Sequence, residues 1–311
     1  MPLRGATSRL FLVAGGLLVM ALPISNFAAD ARPAAPPLGP EPVLNLRSRV
    51  AYIKVAVDDL DKAAAFYTRQ MGMQEFSRSQ VSDGIQEMLL GYERPTRQNA
   101  AIGLIAVKYP AQPATPTPTD APRGYILSKV VFATSDFNAL AARAESRGYA
   151  TTRTQRAAFI VDPTGNVVEL IASSDLPDVQ STPQARRIVC PKLVASSDPA
   201  TAEFYTSLLG MKETASSRFV HKQLVRELVF AYDPAAPYVG VITSRYPADF
   251  HEVFDEGERF ILPNVVIRTP MAGAAALGKF VRDAGSPVAL GLPVNVMDPS
   301  GNIIEAVDLP E

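Results

Sequence analysis

Asp162-Pro163-Thr164-Gly165-Asn166-Val167-Val168-Glu169 is written a second time, with small changes, as Asp298-Pro299-Ser300-Gly301-Asn302-Ile303-Ile304-Glu305. Each copy reads as a turn feeding a short strand. Asp-Pro opens the turn because the proline ring fixes φ at the position after the first turn residue. Gly-Asn tolerates positive φ, and a β-branched pair then enters a sheet. The strand closes on a carboxylate, Glu169 or Glu305, which faces the same way as Val167 or Ile303 because side chains alternate along a strand. A carboxylate ending an apolar strand is costly to bury without a partner. What those two glutamates face therefore bears directly on function.

Outward from the two copies, the rest of the chain repeats in step. Residues 50–57 alternate, with Ile53, Val55 and Val57 on one face and Tyr52, Lys54 and Ala56 on the other, which predicts a strand. Asp58 or Asp59 supplies a helix N-cap, Leu60, Ala64, Tyr67 and Met71 recur at helical spacing, and Gly72 stands where a helix end needs a left-handed residue. Apolar runs follow at 87–92 and 101–107. Past a Pro/Thr loop at 111–123 come a strand at 126–133, a helix capped by Ser135 or Asp136 and ended by Gly148, and a strand near 157–161 that leads into the first turn. Beyond residues 173–186 the order restarts. A strand at 187–194 precedes Asp198 as cap and Pro199 at the first helical position. Phe204-Tyr205 keeps step with Phe66-Tyr67, Gly210-Met211 with Gly72-Met73, 226–232 with the strand at 87, and 239–247 with 102–110. A strand at 264–269 and a helix from Pro270 to Gly285 complete the series. The offset is 138 for the Phe pair, 137 for Gly240 against Gly103 and 136 for Asp298 against Asp162. So long and constant a period means a duplicated domain. Within each half the strand–helix–strands order occurs twice, giving four βαβββ modules.

A chain of 311 residues has room for about two domains. Its net charge of −1, without any basic block, gives no sign of nucleic acid, and no nucleic-acid partner is expected. Arg4 and Arg9, an apolar run at 11–24 and then Ala28, Ala29 and Ala31 form the pattern of a secretory signal peptide, cut at Ala29-Asp30-Ala31 or just after Ala29. The apolar run is shorter than the roughly 20 residues a membrane span needs. The expectation is export, in a bacterium to the periplasm, with no stable membrane insertion after cleavage. The division is then a signal peptide at 1–29, a Pro/Ala-rich tether at 30–45, a first domain at 46–172, a linker at 173–186 and a second domain at 187–311. Cys190 is the only cysteine, so an internal disulfide is excluded.

The segments VAVDDLDKAAAFYTRQMGM (55–73) and VASSDPATAEFYTSLLGM (194–211), with the two DPxGNxxE stretches, resemble the vicinal oxygen chelate superfamily. That group includes glyoxalase I, bleomycin-resistance proteins, extradiol dioxygenases and methylmalonyl-CoA epimerase. The resemblance covers residues 48–308. It implies an α+β fold of two tandem domains, each of two βαβββ modules whose sheet curls into a cup. Most members hold a divalent metal in the cup and chelate substrate through vicinal oxygens. Carried over residue by residue, the first-strand His of the family becomes Tyr52 or Cys190, and the His opening the second module becomes Lys129 or Asn264. The Glu used by glyoxalase I becomes Gly103 or Gly240, and the Glu of DPxGNxxE survives as Glu169 and Glu305. With each half forming its own cup, the sets read Tyr52/Lys129/Glu169 and Cys190/Asn264/Glu305. Both imidazoles are gone, and the two histidines, His221 and His251, stand elsewhere. A catalytic Zn or Fe site needs about three N, O or S donors, so no cofactor is expected. A divalent metal on Glu305 with Cys190, or on Glu169 with Tyr52, is the alternative.

Several residues keep two readings. Glu169 and Lys129 would face each other, either as an acid–base pair in a pocket or as a salt bridge filling the place of a lost metal. Tyr52 either offers a hydroxyl to the cup or plugs it. Cys190, two residues before Lys192, is either an activated thiol or a small buried apolar residue. Lys54, Lys192 and Arg268 share the parity of the cup, which suits an anionic ligand unless they reach the rim and are solvated. Phe66-Tyr67 and Phe204-Tyr205 read as core. The expectation is an exported protein of the bleomycin-resistance kind that holds a small anionic molecule through residues among Tyr52, Lys54, Lys129, Glu169, Cys190, Lys192, Asn264, Arg268 and Glu305. Candidates for catalysis are Glu169, Lys129, Glu305 and Cys190. The alternative is a metal-dependent lyase, isomerase or dioxygenase with atypical ligands.

Overall fold

The computed structural model describes residues 44, 48–82, 84–96, 101–109, 129–173, 186–195, 197–221, 223–233, 240–245, 264–283, 294–300 and 302–307. The first module supplies β1 (Arg49–Ala56), α1 (Leu60–Ala65), β2 (Gln74–Ser82), β3 (Ile85–Gly91) and β4 (Gly103–Lys108). The second supplies β5 (Lys129–Thr134), α2 (Phe137–Ser146), β6 (Thr151–Arg153), β7 (Ala157–Val161) and β8 (Val167–Ala172). The third runs through β9 (Arg187–Val194), α3 (Asp198–Glu203), β10 (Lys212–His221), β11 (Gln223–Ala231) and β12 (Gly240–Arg245). The fourth has β13 (Asn264–Arg268), α4 (Met271–Asp283), β14 (Val294–Met297) and β15 (Ile303–Val307). The α+β class read from the sequence holds.

Capping and turn chemistry set the element ends. Asp59 accepts from the backbone N–H groups of Asp61 at 2.8 Å and Lys62 at 3.1 Å, which starts α1. Gly72, at φ +78°, ends the helical stretch in the left-handed region that glycine adopts without strain. Between those points the helix is not uniform. From Phe66 to Gln70 it widens into a π turn, and Phe204–Leu208 does the same after α3, where spacing predicts continuous α-helix. Phe66 and Tyr67, both fully buried, meet edge to face at 5.0 Å, and the wider turn lets both neighbours face the core. Asp198 does not cap α3 as its position predicts. Ser197 is at the N-cap, and Asp198 is instead drawn into ion pairs with Arg226 at 3.0 Å and Arg245 at 3.2 Å.

The strands form two open mixed sheets. The first has the order β14-β15-β13-β1-β4-β3-β2, and the second β10-β11-β12-β9-β5-β8-β7-β6. Neither sheet belongs to one half of the chain. The first joins module one to module four through antiparallel β1 and β13, and the second joins module two to module three through antiparallel β5 and β9. One cup per half, the grouping expected from the sequence, is therefore corrected. The strands at the joins are duplicates, and each pairs with the copy from the other half.

The repeated turn holds the halves to themselves across the sheets. Asp162 Oδ1 accepts from the backbone N–H groups of Thr164 at 2.8 Å and Asn166 at 2.9 Å, while Oδ2 accepts from the Tyr67 hydroxyl at 3.0 Å. Asn166 Nδ2 donates to the Ala56 carbonyl at the end of β1, at 2.9 Å. The second copy repeats the set, with Tyr205 donating to Asp298 at 3.1 Å and Asn302 to the Val194 carbonyl at 2.9 Å.

The main core lies on one face of each sheet, under the helices, and includes Ile53, Val55, Leu104, Val168, Leu193, Val265 and Ile304. Leu44 packs into it with 1% exposure, so the packed chain begins slightly before the 30–45 tether ends. Arg186, at the end of the expected linker, is tied to Asp136 at 2.7 Å. The signal peptide, most of the tether and of the 173–186 linker, the 111–123 loop, His251, Gly285, Gly301 and the side chains of His221 and Asn264 lie outside the described residues. Among the described residues no helix is long and apolar enough to cross a membrane.

Candidate functional site

The candidate residues gather on the second face of each sheet, and β1 and β9 position them alike. A register shift between Val50 and Tyr52 sets Arg49, Tyr52 and Lys54 on one face of β1, opposite Arg268, Val266 and Asn264 of β13. Val266 is in turn the parallel partner of Glu305, so Tyr52, Val266 and Glu305 stand in one row. In the second sheet Cys190, Val131 and Glu169 form the equivalent row. The sets Tyr52/Lys129/Glu169 and Cys190/Asn264/Glu305 are thus corrected to Tyr52/Asn264/Glu305 and Cys190/Lys129/Glu169. The cause is the exchange of modules between the sheets.

At the centre of each face a lysine lies between two glutamates. Lys54 Nζ is 2.9 Å from Glu305 and 3.1 Å from Glu87. Lys192 Nζ is 2.9 Å from Glu169 and 3.1 Å from Glu227. Burial alone would lower the basicity of both ammonium groups. The paired carboxylates outweigh it, Glu305 and Glu87 in one case and Glu169 and Glu227 in the other, and both lysines are held more basic than usual. Glu87 and Glu227 escaped the sequence reading, which followed the family's ligand positions. Their signal was a single acidic residue within each of two strands already aligned with each other.

The lysine beside Glu169 is thus Lys192. Lys129, expected in that place, is 3% exposed, with its ammonium 5.8 Å from the centre of the Phe159 ring. Cys190 is fully buried, and burial pushes its thiol well up, which leaves it protonated and unreactive. Of its two readings, the small apolar residue is the one the structure supports. Cys190 packs with Val131, Ala133, Val189, Val229 and Ile242 in a second apolar cluster, distinct from the main core.

The first face differs at one end. Arg49 stands directly opposite Arg268. The Tyr52 ring lies over Gly103, where an added Cβ would come within 2.7 Å of Tyr52 Cδ1 and 3.0 Å of Pro95 Cγ. The Arg49 guanidinium donates to the Thr96 carbonyl of the same 94–96 segment. Burial lowers the basicity of Arg49, and Arg268 lowers it further. Burial raises the Tyr52 hydroxyl, against the pull of Arg268, Arg94 and Arg49, so it stays protonated and able to donate. On the second face Arg187 faces Ala133, and the tyrosine position is Cys190.

These donors do not fit the family's divalent metal. The two surviving carboxylates each touch an ammonium at 2.9 Å, a protonated thiol replaces one imidazole, and the Tyr52 ring covers Gly103. Among the described residues no group of three His, Cys, Asp or Glu could hold a metal ion.

Residues 49–170 match the profile of the Glyoxalase/Bleomycin resistance protein/Dioxygenase superfamily. The fold is that of glyoxalase I from Zea mays, with a TM-score of 0.61 at 19% identity over 84% of this chain and 92% of that one. A putative dioxygenase from Bacillus subtilis is similar at a TM-score of 0.57 and 11% identity, over 87% of each chain. No curated protein matches the sequence with significance.

Proposed function

We propose that this chain, a member of the vicinal oxygen chelate superfamily through residues 49–170, is an exported protein that binds a small anionic molecule without the family's metal. The reading places the ligand on the inner face of the first sheet. One comparison within the molecule carries it. The Lys–Glu–Glu triad occurs on both faces, so the fold alone accounts for it, as three partly buried charges that satisfy one another. What differs between the faces is Tyr52 and Arg268 in place of Cys190 and Ala133. On the second face Val131, Ala133, Cys190, Val229 and Ile242 form a buried apolar cluster beside the triad. On the first, the Lys54 and Glu87 side chains keep 16% and 22% exposure, and Tyr52 and Arg268 are only partly buried. Of the three cations expected to meet an anion, Lys54 and Lys192 are paired with carboxylates, and Arg268 stands directly opposite Arg49 on the first face. Export rests on the pattern of residues 1–29.

The test is a thermal-shift and calorimetric screen of residues 30–311 against small carboxylates and phosphates, with elemental analysis of protein purified without chelator. One anion bound per chain is expected. At a hundredfold excess over Kd it should stabilise the fold by about 2.7 kcal/mol. One metal per chain, lost in Glu305→Gln, would overturn the reading in favour of a metal-dependent lyase, isomerase or dioxygenase.

A further inference from the structure

The turn between β6 and β7, the start of α2 and the end of β8 bound a cavity of about 450 Å³, lined by Phe137, Gln155, Arg156 and Ala172. Small-molecule sites commonly measure roughly 300–1,000 Å³. Ala172 has the parity of Val168 and Leu170, which face the main core, whereas Ile171 packs with the Cys190 cluster. The cavity therefore lies on the helix side of the second sheet, not on the face of Lys192 and Glu169. Its walls are fixed by local bonds. The Thr154 hydroxyl accepts from the backbone N–H groups of Ala157 at 2.9 Å and Arg156 at 3.3 Å, which sets the turn that carries Gln155 and Arg156. Arg153 Nε donates to Glu145 at 2.9 Å and ties that turn to α2. Phe137 packs against the main core.

Residues 134–156 carry four arginines against two acids, while the whole chain has a net charge of −1. Both acids are engaged, Asp136 by Arg186 at 2.7 Å and Glu145 by Arg153. Arg156 makes no ion pair among the described residues, so the cavity wall brings a positive charge of its own. One guanidinium fork matches one carboxylate, and a doubly charged group would call for a second. The partly buried Phe137 ring and the Ala172 methyl group offer apolar surface to a flat ring. Going beyond the anion reading of the first face, and independently of it, we propose that this cavity is a second binding site, for an aromatic monocarboxylate. Arg156 takes the carboxylate, Phe137 and Ala172 bound the ring, and the Gln155 amide bonds the carboxylate or a ring hydroxyl.

Benzoate is the probe, titrated into residues 30–311 and followed by backbone-amide NMR. Acetate, which has no ring, and benzamide, which has no charge, are the comparisons. Benzoate should saturate one site per chain and shift the amides of Phe137, Gln155, Arg156 and Ala172, with acetate and benzamide weaker by about tenfold or more. Arg156→Gln should weaken benzoate by about tenfold or more, and Arg156→Lys, which keeps the charge and loses the fork, by less. Phe137→Leu should also weaken it. Arg268→Gln, on the first face, should leave it unchanged. Benzoate binding that survives in Arg156→Gln, or that shifts only amides of the first face, would overturn this inference and leave the reading of the first face standing. No benzoate binding by the unaltered chain would overturn it too, and an anion found on the first face by the earlier screen would still uphold that reading.

Discussion

At the scale of single residues, the two triads make a pair of matched experiments. Lys192 lies between Glu169 and Glu227, with 12% of its side chain exposed. Removing one member of a buried charge network leaves the others unpaired, so Lys192→Met should destabilise by about 3–5 kcal/mol in urea unfolding. Adding Glu169→Gln and Glu227→Gln should recover much of that loss. An isolated effect below about 1 kcal/mol would mean that solvent screens the network. The pH dependence follows from the same contacts. Both lysines are more basic folded than unfolded, so their contribution is complete below the unfolded value of 10.5 and is lost as pH rises through the folded value. Unfolding at alkaline pH should therefore be less pH-dependent in Lys192→Met. The sequence already marked Lys54, Lys192, Glu169 and Glu305. It did not show which lysine meets which glutamate, because that depends on strands from the opposite half of the chain.

At the scale of elements, the DPxGN turn acts as a clasp. Its aspartate gathers donors from its own turn and from a tyrosine ninety-odd residues away, and its asparagine ties the turn to the end of β1 or β9. Tyr67→Phe removes one donor and fills the same space, and should cost about 1–2 kcal/mol by denaturant titration. Asp162→Ala should cost more, since it leaves several buried N–H and O–H groups without their acceptor. Equal losses would show that the hydroxyl contact carries the whole effect. The turn, the strands and the left-handed glycines were legible because each has a local cause in φ preference or alternation. The π turns were not. The spacing of Leu60, Ala64, Tyr67 and Met71 fits an α-helix, and only the adjacent aromatic pair, present in both copies, hinted that two neighbours must face inward together.

At the scale of the whole molecule, periodicity finds the strands and duplication hides their partners. Residues 129–134 and 264–268 read alike, so no pattern in the chain says that β1 pairs with the distant copy. The topology predicts that residues 46–172, expressed alone, do not form a folded monomer, because β1 and β5 would each lack their antiparallel neighbour. Two such pieces can exchange modules to rebuild both sheets, so light scattering should find a homodimer or aggregate. A cooperatively unfolding monomer would contradict this account. The equivalence of modules that permits such a dimer is the same one that hid the pairing in the sequence.

The strand order also fixes a sequence of events. Lys192 and Glu169 are 23 residues apart along the chain, whereas Lys54 and Glu305 are separated by 251. With closure entropy growing as the logarithm of loop length, the longer contact costs about 2 kcal/mol more to bring together. The second sheet is complete once Arg245 has been made, while β1 must wait for β13 and β15. The strand order thus lets the sheet with the Cys190 cluster assemble first, while the face with the arginine pair closes last, one edge of its central strand β1 staying unpaired until β13 has been made.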